Sequence, residues 1–410
     1  MTEQAAPFLP VLDPRGDLPA DTDVLIVGGG IAGTAMAYYL ARAGVEVVLV
    51  ERGELNREAS GTNAGSLHLQ IAIHQLAGGL QTANAADRLR EETRFAAEAA
   101  QLWADLEDEL DGPIDLHQTG GLMVAEQPDE LRFLHEKHEI EAAAGLETHV
   151  VTGSELRDLA PWLSDAVIGA AYCPVEGHVN PLVAAPLFAL RASEHGAVVR
   201  TGAGVREIEA TGADGGGPFR VRTGAGTVRA RRIVNAAGAW ATEVGRHVGL
   251  ELPIRPMPLH VNVTEARPRL IAPLVQHIGR RLTLKQAFNG TFIIGGGWPS
   301  YPDPPRRHVT RWSSASANAA VAVDVVPALA DVRLVRTWSG VNPWSDDVSP
   351  VVGVSRRVPG FHAVVVGSSG YTMTPILARM LAERMVDPTL TPLPDEYSPD
   401  RPPVRPPAAT

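Results

Sequence analysis

The stretch Asp23-Val24-Leu25-Ile26-Val27-Gly28-Gly29-Gly30-Ile31-Ala32-Gly33 decides the reading of this chain. Val24–Val27 are apolar without alternation, the pattern of a strand buried on both faces. The glycines break that strand, and an Ala-rich run from about Ile31 to Ala43 reads as a helix stopped by Gly44. Val45–Val50 then makes a second apolar strand ending at Glu51, which completes a parallel β-α-β unit. The pattern Gly28-x-Gly30-x-x-Gly33 therefore sits between strand and helix, where it has a physical use. Gly28 permits the tight turn, Gly30 lets backbone approach a pyrophosphate, and Gly33 lets helix and strand pack closely. The helix start at Ile31 and Ala32 turns its positive dipole end toward the phosphates. Glu51 is placed to accept hydrogen bonds from ribose hydroxyls. These residues suit FAD and NAD(P) equally, since both carry an adenosine diphosphate half.

Outward from this unit, helices are expected over Ala83–Leu110, Glu130–Ala144 and Ala184–His195, with a strand at Gly120–Ala125 between the first two. Strands follow at Val205–Ala210 and Phe219–Thr223, joined by a turn at Gly215–Pro218, and at Ile233–Ala237. Alternation over Arg281–Lys285 and Thr291–Ile294 around Asn289-Gly290 marks a hairpin of a separate antiparallel sheet. A strand at Phe361–Val366, a glycine-bearing turn at Gly367–Thr374 and a helix opening at Pro375 close the folded part. The proline-rich tail beyond Asp387 is expected to be disordered.

With 410 residues and 45% hydrophobic content the chain buries more than one core. A net charge of -11 excludes a general attraction to nucleic acid or anionic lipid. Cys173 is the single cysteine, so an internal disulfide and a cysteine-based metal cluster are excluded, and no metal is expected. Met1–Ala20 lacks the basic and apolar regions of a secretory signal and no apolar run approaches the ~20 residues of a spanning helix, so the expectation is a cytoplasmic protein without direct membrane insertion.

Four islands carry a more specific likeness: Val24–Arg52, Ala59–Leu67, Ile233–Trp240, and Trp338–Gly353 with Gly367–Pro375. Over nearly its full length the chain resembles the D-amino acid oxidase, glycine oxidase and sarcosine oxidase family of flavoenzymes. Asn63–Gln70 is most similar to flavoprotein subunits of opine oxidase and hydrogen cyanide synthase. The resemblance implies an α/β fold: a discontinuous Rossmann-like FAD-binding domain (21–80, 165–250 and 330–388) and a second α+β domain on an antiparallel sheet (81–164 and 251–329), with flexible tails at 1–20 and 389–410. It implies non-covalent FAD, because the family's covalent flavin cysteine has no counterpart. Ser60, Gly61, Asn63, Ala64, Gly65, Ser66 and Leu67 would pass close to the pyrophosphate and ring edge, where small residues are needed. Arg52 and Val205 would meet the adenosine end, and Ala236, Ala237, Gly238 and Trp240 the cofactor's flank. Gly340, Gly367, Gly370, Tyr371, Thr372 and Met373 would meet the ring, the free amides before the last helix stabilising negative charge on it.

Substrate-side candidates are His68, Gln70 and Tyr371 beside the ring, and Lys285, Gln286 and Arg281 on the antiparallel sheet, where a carboxylate could be met. A lone histidine is more often structural, and strand charges are more often solvated. Two departures from relatives stand out. Gly340-Val-Asn-Pro343 places Asn342 where glycine oxidase has a carboxylate-binding arginine, and Ile293 stands where monomeric sarcosine oxidase has an oxygen-activating lysine. The expected activity is oxidation of the C–N bond of an amine or amino acid, by hydride transfer to flavin with an imine product. A flavin-carrying subunit of a hetero-oligomer, inactive alone, and an NAD(P)-dependent dehydrogenase are the alternatives.

Overall fold

The computed structural model describes residues 16–72, 85–212, 215–303, 307–367 and 370–402. The first and last stretches of the expected tails, residues 73–84 and Ser368–Ser369 lie outside them. The strand Asp21–Val27 forms the centre of a sheet because its side chains are covered on both faces; Val24, Leu25 and Ile26 have no exposed surface. It pairs in parallel with Val47–Val50 on one side and Gly226–Asn235 on the other. Val198–Arg200 and Phe361–Val365 extend the parallel order, and Val351–Val354 closes one edge antiparallel. The hairpin Val205–Ala210 with Phe219–Thr223 hangs antiparallel from the first half of Gly226–Asn235.

The second sheet runs in the order Leu334–Trp344, Arg255–Ala266, Thr291–Gly295, Thr283–Gln286, Leu274–His277, Gly121–Ala125, Gly169–Cys173, His149–Thr152. All neighbours are antiparallel except Leu274–His277 with Gly121–Ala125. Gly169–Cys173 and Leu334–Trp344 thus join the antiparallel sheet although they fall inside ranges expected for the cofactor domain.

The helix Ile31–Arg42 is buried almost all round, between the parallel sheet and the helices Ala184–Glu194 and Gly370–Val386. That is why its sequence is small and apolar rather than amphipathic. Two expectations are corrected. The last helix begins at Gly370, not Pro375; Pro375 lies within it, where its missing N–H removes only the bond to the Tyr371 carbonyl. The C-terminal segment to 402 is placed against the body: Tyr397 is 1% exposed beside Phe95, and Arg401 pairs with Asp347 at 2.7 Å. A buried aromatic and a sheltered ion pair outweigh the proline content that suggested disorder.

Candidate active site

At the glycine turn, Gly28 has φ +115°, and a Cβ there would lie 2.5 Å from the Ala236 carbonyl oxygen. A Cβ on Gly33 would lie 1.9 Å from the Gly28 carbonyl oxygen, so helix and strand touch backbone to backbone. Ser60 Oγ accepts from the Ile31 amide at 3.0 Å and would sit 2.9 Å from a Cβ on Gly30. The Gly30 and Ala32 amides line the adjoining cavity and find no acceptor among the described residues, so they stand as donors for an anion at a helix N-terminus. Glu51 is held by the Gly29 amide on Oε2 (2.7 Å) and the Gly53 amide on Oε1 (2.8 Å). Its remaining lone pairs are left for a further donor. Beside it the Arg52 guanidinium lies 3.7 Å from the Trp240 ring centroid and pairs with Glu58 at 2.9 Å. With Gly204 and Val205 these groups wall a flat slot.

From this end a cavity of about 1300 Å³ runs to the start of the last helix. Trp338 Nε1 donates to the Thr62 carbonyl at 2.7 Å, which ties the short helix Ala59–Thr62 to the antiparallel sheet. A Cβ on Gly340 would lie 1.9 Å from Thr62 Oγ1. At the far end the His68 amide donates to Thr372 Oγ1 (3.0 Å) and Trp103 Nε1 donates to the Thr372 carbonyl (2.8 Å). Tyr371 stacks on Trp103 at 5.7 Å; its buried hydroxyl has no partner among the described residues, and burial raises its pKa. His68 lines the cavity, and its ring has its pKa lowered to about 4, first by burial and then by the charge of Lys285, so it is neutral at physiological pH.

The structure brings most of the expected residues to this one cavity. Gly28, Gly30, Ile31, Ala32, Glu51 and Arg52 line it, as do Ser60, Asn63, Ala64, Ser66 and Val205. So do Ala236, Ala237, Gly238 and Trp240, and at the far end Gly340, Asn342, Gly367, Gly370, Tyr371 and Thr372. Gly33, Gly61, Gly65, Leu67 and Met373 stand behind the wall. Gly61 and Gly65 are required there because a Cβ would come within 1.8 Å of the Asn56 carbonyl oxygen and 2.3 Å of that of Val179. Leu67 is core and Met373 packs against it.

Three substrate-side expectations change, those for Lys285, Gln286 and Gln70. Lys285 is 3% exposed and lies under the wall, its Nζ 3.3 Å from where a Gly65 Cβ would be. Gln286 is consumed structurally: Oε1 accepts from the Leu270 and Ile271 amides, and Nε2 donates to the carbonyls of Arg267, Pro268 and Gly290. Gln70 is drawn into a buried network with Lys137, Glu141 and Glu176 instead of facing the cavity. Arg281 does line the cavity, exposed at its rim. Sequence reasoning missed Met123, Gln276 and Thr283, which form the roof from three neighbouring strands. Gln276 Nε2 is buried there without a partner among the described residues. Strand alternation marks such residues as sharing a face, but not which face meets a cavity.

The donors, the held carboxylate, the flat slot and the distant helix N-terminus fit one extended dinucleotide with a ring at its far end. The family model described as "FAD dependent oxidoreductase" (DAO) matches residues 23–384. The mitochondrial dimethylglycine dehydrogenase of Rattus norvegicus is 26% identical over 84% of this chain, which spans only 40% of that relative's length. An opine oxidase subunit of Rhizobium meliloti is 28% identical, over 83% of this chain and 87% of its own. The crystal structure of glycine oxidase from Geobacillus kaustophilus superimposes with a TM-score of 0.81 at 24% identity, covering 93% of this chain and 99% of that one, a likeness of fold.

Proposed function

The chain belongs to the DAO family of FAD-dependent oxidoreductases, and from that premise we propose that it oxidises the C–N bond of a small amine or amino acid. The observation that carries this reading is the continuity of a single cavity between the Gly28–Gly33 turn and the Gly370–Thr372 helix start. FAD bound along it supplies an isoalloxazine ring that accepts a hydride from the carbon next to the substrate nitrogen. The chain's own residues provide orientation, apolar walls and electrostatics. Amides of the helix opening at Gly370, with its dipole, place positive potential at the ring end. Met123, Ile278, Leu259 and Val261 give the cavity apolar walls there, while Gln276 and Asn342 offer neutral polar contacts. His68, neutral in its buried setting, can accept a proton in transit from a substrate ammonium, and its lowered pKa means that it does not keep it. In this reading the parallel sheet and the helices packed on it serve as the cofactor half, with FAD held without a covalent link, and the antiparallel sheet, which takes in Gly169–Cys173 and Leu334–Trp344, serves as the substrate half.

Anaerobic mixing of FAD-loaded protein with secondary amines, D-amino acids, L-proline analogues and opines tests the proposal. Bleaching by at least one of these is expected, and a flavin that all of them leave oxidised refutes it. The likeness to a subunit of opine oxidase favours a second reading, in which the chain is the flavin-carrying subunit of a hetero-oligomer. Partner chains co-purifying from the native host, with activity restored only in their presence, would decide for it. No helix among the described residues is long and apolar enough to cross a membrane; a cytoplasmic site of action is part of the proposal.

A further inference from the structure

Around His68 in the cavity wall lies a set of buried nitrogen atoms, of which the proposed oxidation uses only the His68 imidazole. His68 Nδ1 and His178 Nε2 are buried with no hydrogen-bond partner among the described residues. Lys285, on the strand Thr283–Gln286 of the antiparallel sheet and 3% exposed, forms no side-chain hydrogen bond or ion pair among the described residues, and after burial its charge is the next cause lowering the pKa of both imidazoles. Buried polar atoms are rarely left unpaired, because each costs about 1–3 kcal/mol; where several converge, ordered water bridges them.

The residues that carry them are linked through strand pairing and ring contact. His68 follows the strand Ser66–Leu67, which pairs with Gly177–His178 so that Ser66 stands opposite His178. The His178 ring is 5.2 Å from that of His117, and His117 Nε2 meets Asp115 Oδ1 at 2.8 Å. The Asp115 side chain is 52% exposed. The charged groups facing this set are Asp115, which supports the charge on Lys285, and Arg269, which opposes it on His178. Lys285, lowered to about 7 by its burial, exchanges protons readily near neutral pH.

We propose that Lys285, His178 and His117, bridged by internal water, form a proton relay joining His68 in the cavity wall to solvent at Asp115. The need for one rests on the C–N oxidation reading. An ammonium substrate yields an iminium, a hydride and a proton. The hydride passes to the cofactor, and the proton must pass from the cavity to solvent. His68 receives it at the cavity; Lys285 and the two further histidines act through His68 and touch no substrate.

The test uses the FAD-loaded full chain and no amine. Reduced methyl viologen delivers electrons without protons, so two viologens reduce each flavin as one proton enters the cavity. Anaerobic stopped-flow mixing in weak buffer follows the flavin and a pH dye together. In the unaltered protein the two traces coincide. In Lys285→Met and His178→Gln, proton uptake lags by about a hundredfold, the lower end of what a positioned acid–base group supplies, and added imidazole shortens the lag. Coincident traces in both variants overturn the relay, and so does a lag that imidazole leaves unchanged, which marks a packing effect. If the lag appears while no amine bleaches the flavin, the relay stands and the substrate reading falls.

Discussion

Replacing Lys285 by methionine is expected to make the protein more stable, because the structure buries an ammonium that forms no ion pair or hydrogen bond among the described residues. Its pKa falls from 10.5 in the open chain to about 7 in the fold, with burial as the first cause. A tenfold change in proton affinity corresponds to about 1.4 kcal/mol, so at pH 7 the lysine costs the fold roughly 4 kcal/mol. The sign follows from proton binding. Between pH 7 and 10.5 the unfolded lysine holds more protons than the folded one, so the penalty is full below 7 and vanishes as pH rises through 10.5. Methionine keeps most of the apolar stem without the charge. Urea unfolding of the FAD-loaded parent and Lys285→Met, followed by tryptophan fluorescence from pH 7 to 10, measures the difference. The variant's advantage should be largest at pH 7 and shrink steadily with rising pH. A variant less stable at pH 7, or an advantage that does not change with pH, refutes the reasoning.

Gly33→Ala drives a Cβ to 1.9 Å from the Gly28 carbonyl oxygen, so the variant should purify without yellow colour, as its flavin-to-protein absorbance ratio will report. Glu51→Ala removes the acceptor of the Gly29 and Gly53 amides and should weaken FAD binding by about 10- to 100-fold in a fluorescence titration, the range for a charge-assisted hydrogen bond. Asn342→Arg sets a guanidinium in the cavity wall; for a carboxylate-bearing substrate, KM should fall by about tenfold, while an uncharged amine gains nothing. His68, His178 and His362 are lowered from 6.5 to about 4, 3 and 4, mainly by burial. Each therefore stays neutral in the fold while the unfolded chain takes up a proton, and stability is lost as pH falls from 6.5 toward 3–4. A thermal-shift series should show this decline, with a shallower slope in His178→Gln.

The β-α-β unit, its glycine turn and the small-residue islands were legible in the sequence because their physics is local. A glycine whose backbone must turn or touch declares itself by type and spacing, and Gly28, Gly30 and Gly33 do so between a strand and a helix. Tertiary structure alone decided the substrate side. Lys285 and Gln286 are adjacent in the chain, yet one is left without a bonded partner under the cavity wall and the other is saturated by five backbone groups. That outcome depends on which loops pack over each face of the strand. Gln70 was likewise claimed by Lys137 and Glu176, from elements 67 and 106 residues away. The docked tail and the opening of the last helix at Gly370 follow the same logic. Tyr397 is held by contacts made far along the chain, which composition does not encode, and Pro375 is accommodated inside a helix buried against two others. Spacing along the chain specifies which residues can share a turn or a face; only the pairing of distant segments determines what that face meets.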